Sequence, residues 1–330
     1  MDSTVSLNMD SIAYTFNLFY SSIIYSLTEK TRLSFISSNS SFSECVRKVS
    51  SFYKSHTNAL PDCSSDTFAR ETPCQRTQVP VVYSTGTNIF KYVEFASCSS
   101  STHGGAIKCT GGTLEVLSSS FSLCSVSGYN GGAIYASSLS LFSIQNSVFS
   151  SCGGNYEADS GGAITLNVIT SPTVCESLFY KCKSNENSGA IDMRNCGSNQ
   201  KDIPIQCYLF IHCECMNGVW PSAGVLEASG NNCVYFSSTL FSSCKSYDGG
   251  ALFLGYPFYS NYICFSFFTG NTATSTHGME VFLRNNNALI NIFFHSFSTT
   301  SSNQIYDEVT GQHIINLFPW VILAYATWTT

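Results

Sequence analysis

The chain has 330 residues and a net charge of −6, with 11% charged, 44% hydrophobic and 14% aromatic residues. An average globular chain carries about 25% charged residues and a disordered one needs low hydrophobicity with high charge, so disorder is excluded. A basic nucleic-acid binder is excluded too, because 15 Lys and Arg against 21 Asp and Glu cannot neutralise a run of phosphates.

Residues 1–80 carry no clear repeat and read as an N-terminal cap and loop region, since a stacked-repeat core needs its open end covered. Residues 12–27 are apolar in patches, but Asp2 and Asp10 precede them and no Lys or Arg does. The stretch therefore reads as buried strand or cap, not as a clear signal peptide. Ser43 is placed to cap a short helix through about Ser55, with Val46, Val49 and Phe52 or Tyr53 turned inward. Asn39-Ser40-Ser41 fits a glycosylation acceptor, which has meaning only in a secreted chain. Residues 61–80 read as a loop, and Cys63 and Cys74 within it are the disulfide candidates outside the repeats.

Residues 81–310 repeat. The first half of the unit is Phe-x-x-Cys, at Phe95/Cys98, Phe121/Cys124, Phe149/Cys152, Phe179/Cys182, Phe210/Cys213 and Phe241/Cys244, with Phe268/Asn271 as a seventh copy. The Phe-to-Phe spacings of 26 to 31 residues have the period of a solenoid. The second half is a glycine turn: Gly104-Gly105, Gly131-Gly132 and Gly161-Gly162, then Gly189, Gly224 and Gly249-Gly250, each followed by Ala (Val225 after Gly224) and then by Ile or Leu. An eighth unit aligns at Phe294, with Gln304-Ile305-Tyr306 in the glycine slot.

After the glycines the period is two, which is the pattern of a half-buried strand. Ile107, Ile134, Ile164, Ile191, Leu226 and Leu252 fall on one face, while Lys108, Tyr135, Thr165, Asp192, Glu227 and Phe253 fall on the outward one. A second strand precedes each Phe, as in the alternating Phe142, Ile144 and Val148 or Val234, Phe236 and Leu240. One such unit cannot bury its own apolar side, so successive units must stack. The expected fold is all-β: a parallel β-helix of about 7–8 coils, roughly 35–40 Å long at about 4.8 Å per coil. The Phe residues then form one column and the Cys residues another. Coil spacing permits disulfides between neighbouring Cys, but equivalent side chains in parallel coils point the same way, which favours buried free thiols. The double glycine suits a turn with positive φ or a close backbone approach. Residues 311–330 read as a C-terminal cap or tail; Ile314 to Trp328 is apolar but broken by Asn316 and Pro319, short of the ~20 residues of a membrane span.

These paired motifs resemble the polymorphic outer membrane protein repeat, whose signature combines Gly-Gly-Ala-(Ile/Leu/Val) with Phe-x-x-Asn. Phe268-Thr269-Gly270-Asn271 matches the second half as it stands, and Gly104-Gly105-Ala106-Ile107 is one of the matches to the first. Cys replaces Asn in six copies, a variant similar to that of large parasite surface-protein families. The resemblance implies a right-handed, pectin-lyase-like β-helix, display on the cell surface or secretion, and adhesion.

Few residues in the sequence point to chemistry. Sugar hydrolysis needs two carboxylates about 5–9.5 Å apart. Asp192 and Glu227 are neighbours in the outward slot, and two solvated surface acids explain them better than a catalytic pair does. No spacing of His, Cys, Asp or Glu matches a usual metal site, and no phosphate loop occurs, so neither metal nor cofactor is expected. The variable stretches Ser125–Asn130, Gly153–Ser160, Lys183–Asn187 and Glu214–Ser222 read as loops along one edge, where binding commonly sits on a rigid scaffold. Tyr129, Tyr156, Trp220 and Tyr247 are the candidate contact aromatics. The leading expectation is a non-enzymatic repeat protein that binds a host-surface protein or glycan, with no nucleic-acid partner and no integral membrane segment. The alternatives are a polysaccharide lyase or glycosidase on the same fold, and a truncated family member without activity.

Overall fold

The computed structural model describes residues 75–317, apart from the short stretches 78–79, 155–157, 198–202, 207–208, 217–221, 231–233, 238, 256–260, 265, 275–280, 285–289, 294–295, 298–304 and 308–315. Within them the repeat does what stacking demands. Each unit contributes one strand to each of three parallel sheets, every one nine strands deep, with strand order following the chain. The all-β parallel β-helix expected from the repeat is the fold. The N-terminal cap with its short helix, Cys63, Cys74, Tyr156, Trp220, Phe294 and most of residues 311–330 lie outside the described residues.

The glycine-led sheet includes Ile107–Cys109, Ile134–Ser137, Ile164–Asn167, Ile191–Arg194, Leu226–Ser229, Leu252–Gly255 and Val281–Arg284. A second sheet holds strands such as Leu141–Gln145 and Pro172–Cys175, and a third holds the Phe strands, such as Val148–Ser150 and Leu178–Tyr180. The single strand expected before each Phe is thus two. Asn146 has φ 49° and turns the chain between Ile144 and Val148, so those two residues belong to different sheets. The variable stretches also start later than expected. Lys183–Ser184, Glu214–Cys215 and Lys245–Ser246 form short strands of a fourth sheet, in which Glu214 sits between Lys183 at 3.6 Å and Lys245 at 3.5 Å.

Like residues lie over like. Phe149 pairs in register with Phe121 below and Phe179 above. From Phe95 to Phe268 the rings stack at centroid separations of 4.8, 4.6, 4.8, 5.0, 5.4 and 4.7 Å, nearly parallel and almost wholly buried. The coil rise sets that spacing, so each ring gains both its burial and a stacking contact from the same geometry.

Two polar columns hold the corners. Cys98, Cys124, Cys152, Cys182, Cys213 and Cys244 are buried and none forms a disulfide. Each from Cys124 onward donates to the carbonyl of the Phe one coil back, at 3.6–3.7 Å. Burial pushes the Cys152 and Cys213 thiols well above the ordinary range, so they stay protonated and act as small apolar groups with a weak donor. A serine column runs two residues before the Phe column. Ser119, Ser147 and Ser177 each donate to a carbonyl two residues back at 2.8–2.9 Å. Their Oγ atoms accept the N–H of Val93, Ser119 and Ser147 on the preceding coil at 3.1–3.2 Å.

The glycine pair serves both purposes expected of it, one at each position. Gly131 needs positive φ, at 74°. Gly132 needs room: a Cβ there would stand 2.1 Å from the Gly162 carbonyl of the next coil.

Candidate functional site

Two outward columns on the glycine-led sheet build the site. In the first, Thr165, Asp192, Glu227, Phe253 and Phe282 stand in successive register. All five are at most 5% exposed, so Asp192 and Glu227 are not the solvated surface acids expected of an outward slot. From Thr165 onward the first outward position of each strand is buried, while the second stays half-buried at Asn167, Arg194, Ser229 and Arg284. The strand at Ile107–Cys109 still alternates buried and half-buried, whereas Leu252–Gly255 is buried at every position. Phe253 and Phe282 stack at 5.4 Å and form a small second core with Ala223 on this outer side.

The second column holds Asn167, Arg194, Ser229, Gly255 and Arg284, also in register. Two long cationic side chains therefore stand three coils apart, about 14 Å along the stack. Between them are a serine and a glycine. The missing bulk leaves an open cleft of about 360 Å³, lined by Arg194, Asn195, Glu227, Ser229, Gly230, Phe253 and Arg284. Phe253 leans over the empty glycine position, where a Cβ at Gly255 would come within 2.7 Å of its ring.

The two acids have different surroundings. Arg194 forks onto Asp192: its Nε donates to Oδ1 at 3.1 Å and its Nη2 lies 2.8 Å from Oδ2. Nη2 also donates to Ser160 Oγ at 3.0 Å, and Asn187 Nδ2 donates to the same oxygen. Asp192 is thus a fully buried anchor for the guanidinium and does not line the cleft. Glu227 does line it, and its Oε2 is buried without a hydrogen-bond partner. Burial first, and the neighbouring Asp192 second, hold the Glu227 carboxyl well above the usual carboxylate range, against the pull of Arg194 and Arg284. Two carboxyls on adjacent coils cannot both ionise cheaply. Asp192 has the guanidinium fork, so Glu227 keeps the proton.

A separate cluster lies on the loop edge of earlier coils. Tyr129 is 41% exposed. Its ring meets His103 edge-on at 5.2 Å, and His103 stacks on Tyr135 at 4.3 Å. His103 Nδ1 accepts the Asn130 N–H at 3.2 Å, so a neutral ring carries its proton on Nε2. Burial and then Lys108 lower the pKa of His103. Tyr247 occupies the same slot four coils on and is 43% exposed. The structure therefore brings Tyr129 together with His103 and Tyr135 and leaves Tyr247 apart from them, about 20 Å along the stack.

Among the described residues, no group of three His, Cys, Asp or Glu is placed to hold a metal. Cys213-Glu214-Cys215 splits, with Cys213 in the thiol column and Cys215 donating to the Glu186 carbonyl. Among the described residues, no helix is long and apolar enough to cross a membrane. Arg194, Ser229 and Arg284 were not legible as site residues in the sequence. The signal lay in the second outward position of the glycine-led strands, two residues beyond Asp192, Glu227 and Phe282.

The fold and these two sites define a β-solenoid with an aromatic loop edge and an arginine-walled cleft. Comparison of the chain with protein-family models, with curated proteins and with solved structures gave no match.

Proposed function

We propose that this protein is a non-enzymatic binding module, displayed at the cell surface or secreted, that presents the loop edge of its β-helix to a host-surface protein or glycan. The observation that carries the reading is the half-exposed Tyr129 ring, set by His103 and Tyr135 on a stacked scaffold. Rigid aromatics present large contact area at low entropic cost, which is what a recognition surface needs. The repeat resemblance to surface adhesins points the same way. The test is binding of the full chain to intact host cells and to a glycan array, beside the double variant H103A/Y129A. The variant should lose binding while keeping its β-sheet circular dichroism. Equal binding by both proteins would remove the cluster from the interface, and absence of the native chain both from the labelled surface of its own cells and from their medium would defeat the reading.

A second reading is a carbohydrate-active enzyme of the same fold, and one observation favours it. Glu227 is a buried carboxylic acid at an open cleft, with Asp192 on the adjacent coil. A proton-donating acid of this kind is half of a glycosidase pair. Release of reducing ends or unsaturated sugars from polysaccharides by the native chain, and not by E227Q, would replace the binding reading with this one.

A further inference from the structure

The turn that carries Tyr129 has one link that a proton can cut. Around it, backbone bonds run to the neighbouring coils. Asp159 N–H donates to the Tyr129 carbonyl at 2.9 Å, Gly104 N–H to the Asn130 carbonyl at 3.1 Å, and Gly131 N–H to the Ser160 carbonyl at 2.9 Å. The Asn130 N–H donates instead to a side chain, His103 Nδ1, at 3.2 Å. That bond needs a lone pair on Nδ1. An imidazolium carries a proton on both nitrogens, so it would set N–H against N–H. The chain just before Tyr129 gives little support, because Ser127 and Gly128 are exposed and a Cβ at Gly128 would meet no atom within 4 Å.

We propose that His103 is a proton-operated clasp on the binding edge: its protonation breaks the bond to Asn130 and releases the Tyr129 turn. Only the consequence, weaker binding in acid, rests on the reading of this edge as the binding surface; the release itself does not. The groups that face the imidazole set the range. Burial and the Lys108 cation disfavour the imidazolium, and the Asp159 carboxylate favours it. The Tyr135 face on which the ring stacks also favours a cation, and Tyr129 meets the ring edge-on. The balance lowers His103 from its ordinary 6.5, so the clasp is closed at neutral pH and opens as the pH falls below that value. Proton and binding partner then compete, since the partner needs the held turn.

Nitrogen-15 NMR of the full chain labelled at Asn and His, followed from about pH 7.5 to about 4.5, reads the clasp without any ligand. The Asn130 amide should shift with the same midpoint as the His103 ring. H103N keeps an acceptor, because Asn Oδ1 lies two bonds from Cβ as Nδ1 does, but it cannot take the proton; its Asn130 amide should not titrate. K108Q removes the opposing cation and should move the midpoint upward. Binding to intact host cells, taken as the ratio of native chain to H103N at each pH, should fall about fivefold across the range, the worth of one hydrogen bond. An Asn130 amide indifferent to His103, or one that titrates in folded H103N as in the native chain, would overturn the proposal. Equal pH dependence of binding in the two proteins would do the same. An Asn130 amide that follows His103 in a chain that binds no host cell at neutral pH would uphold the clasp and defeat the binding reading.

Discussion

Asn271 Oδ1 accepts the backbone N–H of Cys244, one coil below, at 2.8 Å. The same amide donates through Nδ2 to the Phe241 carbonyl at 3.1 Å. The second bond is the one each cysteine thiol makes, from Cys244 Sγ to the Phe210 carbonyl at 3.7 Å and so on down the column. Asn and Cys are therefore equivalent at this corner in one bond and different in the other. A thiol is a weak donor and a weak acceptor, while an amide is a full donor and a full acceptor.

Replacing Asn271 by Cys should keep the bond to Phe241 and lose the one from Cys244. The expected cost is about 1 kcal/mol, the net worth of one intramolecular hydrogen bond. Stability in a stacked array is local, so amide exchange is the direct readout, and the Cys244 N–H should exchange faster in N271C. The converse substitution C244N should slow exchange at Cys213. Faster exchange at Cys213 in C244N would show that the two side chains do not share one slot.

How far the sequence carried the structure follows from the same register. The Phe, Cys and Gly columns were legible because each recurs at a fixed offset within a unit that itself varies from 26 to 31 residues. The Ser119, Ser147 and Ser177 column obeys the same offset rule and passed unnoticed, because serine is frequent between the motifs and its buried bonds leave no hydropathy signal. The pairing of Asp192 with Glu227 was legible from parity, but their burial was not. Alternation reports which side of a strand a residue faces and says nothing of what covers that side. Arg194 and Arg284 lie 90 residues apart in the chain, and only the register of the four strands between and around them makes them two walls of one cleft.

Strain at another corner can be removed. Thirteen non-glycine residues among those described have φ near +50°, and Val168 is one of them, at 55°. The equivalent corners carry Ser138 and Asn195, which tolerate this conformation better than a β-branched residue does. The Val168 side chain is 51% exposed, so little packing compensates. V168G should stabilise the protein by up to about 1 kcal/mol, the left-handed penalty less the extra entropy glycine has when unfolded. An upward shift of the urea midpoint at unchanged slope checks this. A downward shift would mean that the exposed valine contributes more contact than its surroundings suggest.

The buried acids set the sign of the pH dependence. In the unfolded chain Glu227 loses its proton near its ordinary value of 4.5, but in the folded chain it holds that proton to much higher pH. Folding therefore takes up a proton between those limits, and stability is complete below about 4.5 and falls as pH rises toward the folded value. Asp192 acts in the same direction, since burial raises it above its ordinary 3.8 despite the guanidinium. The groups facing Glu227 are Asp192, which raises its pKa, and Arg194 and Arg284, which lower it. E227Q has no proton to take up and should lose stability more slowly than the native chain as pH rises from about 4.5 to 8. Asp192 adds to the same slope and the lowered pKa values of His103 and His212 oppose it, so the difference between the native and E227Q curves is what reports Glu227. Thermal melts of the native chain and E227Q across that range decide the matter. An E227Q curve parallel to the native one would mean that Glu227 is ionised in the fold.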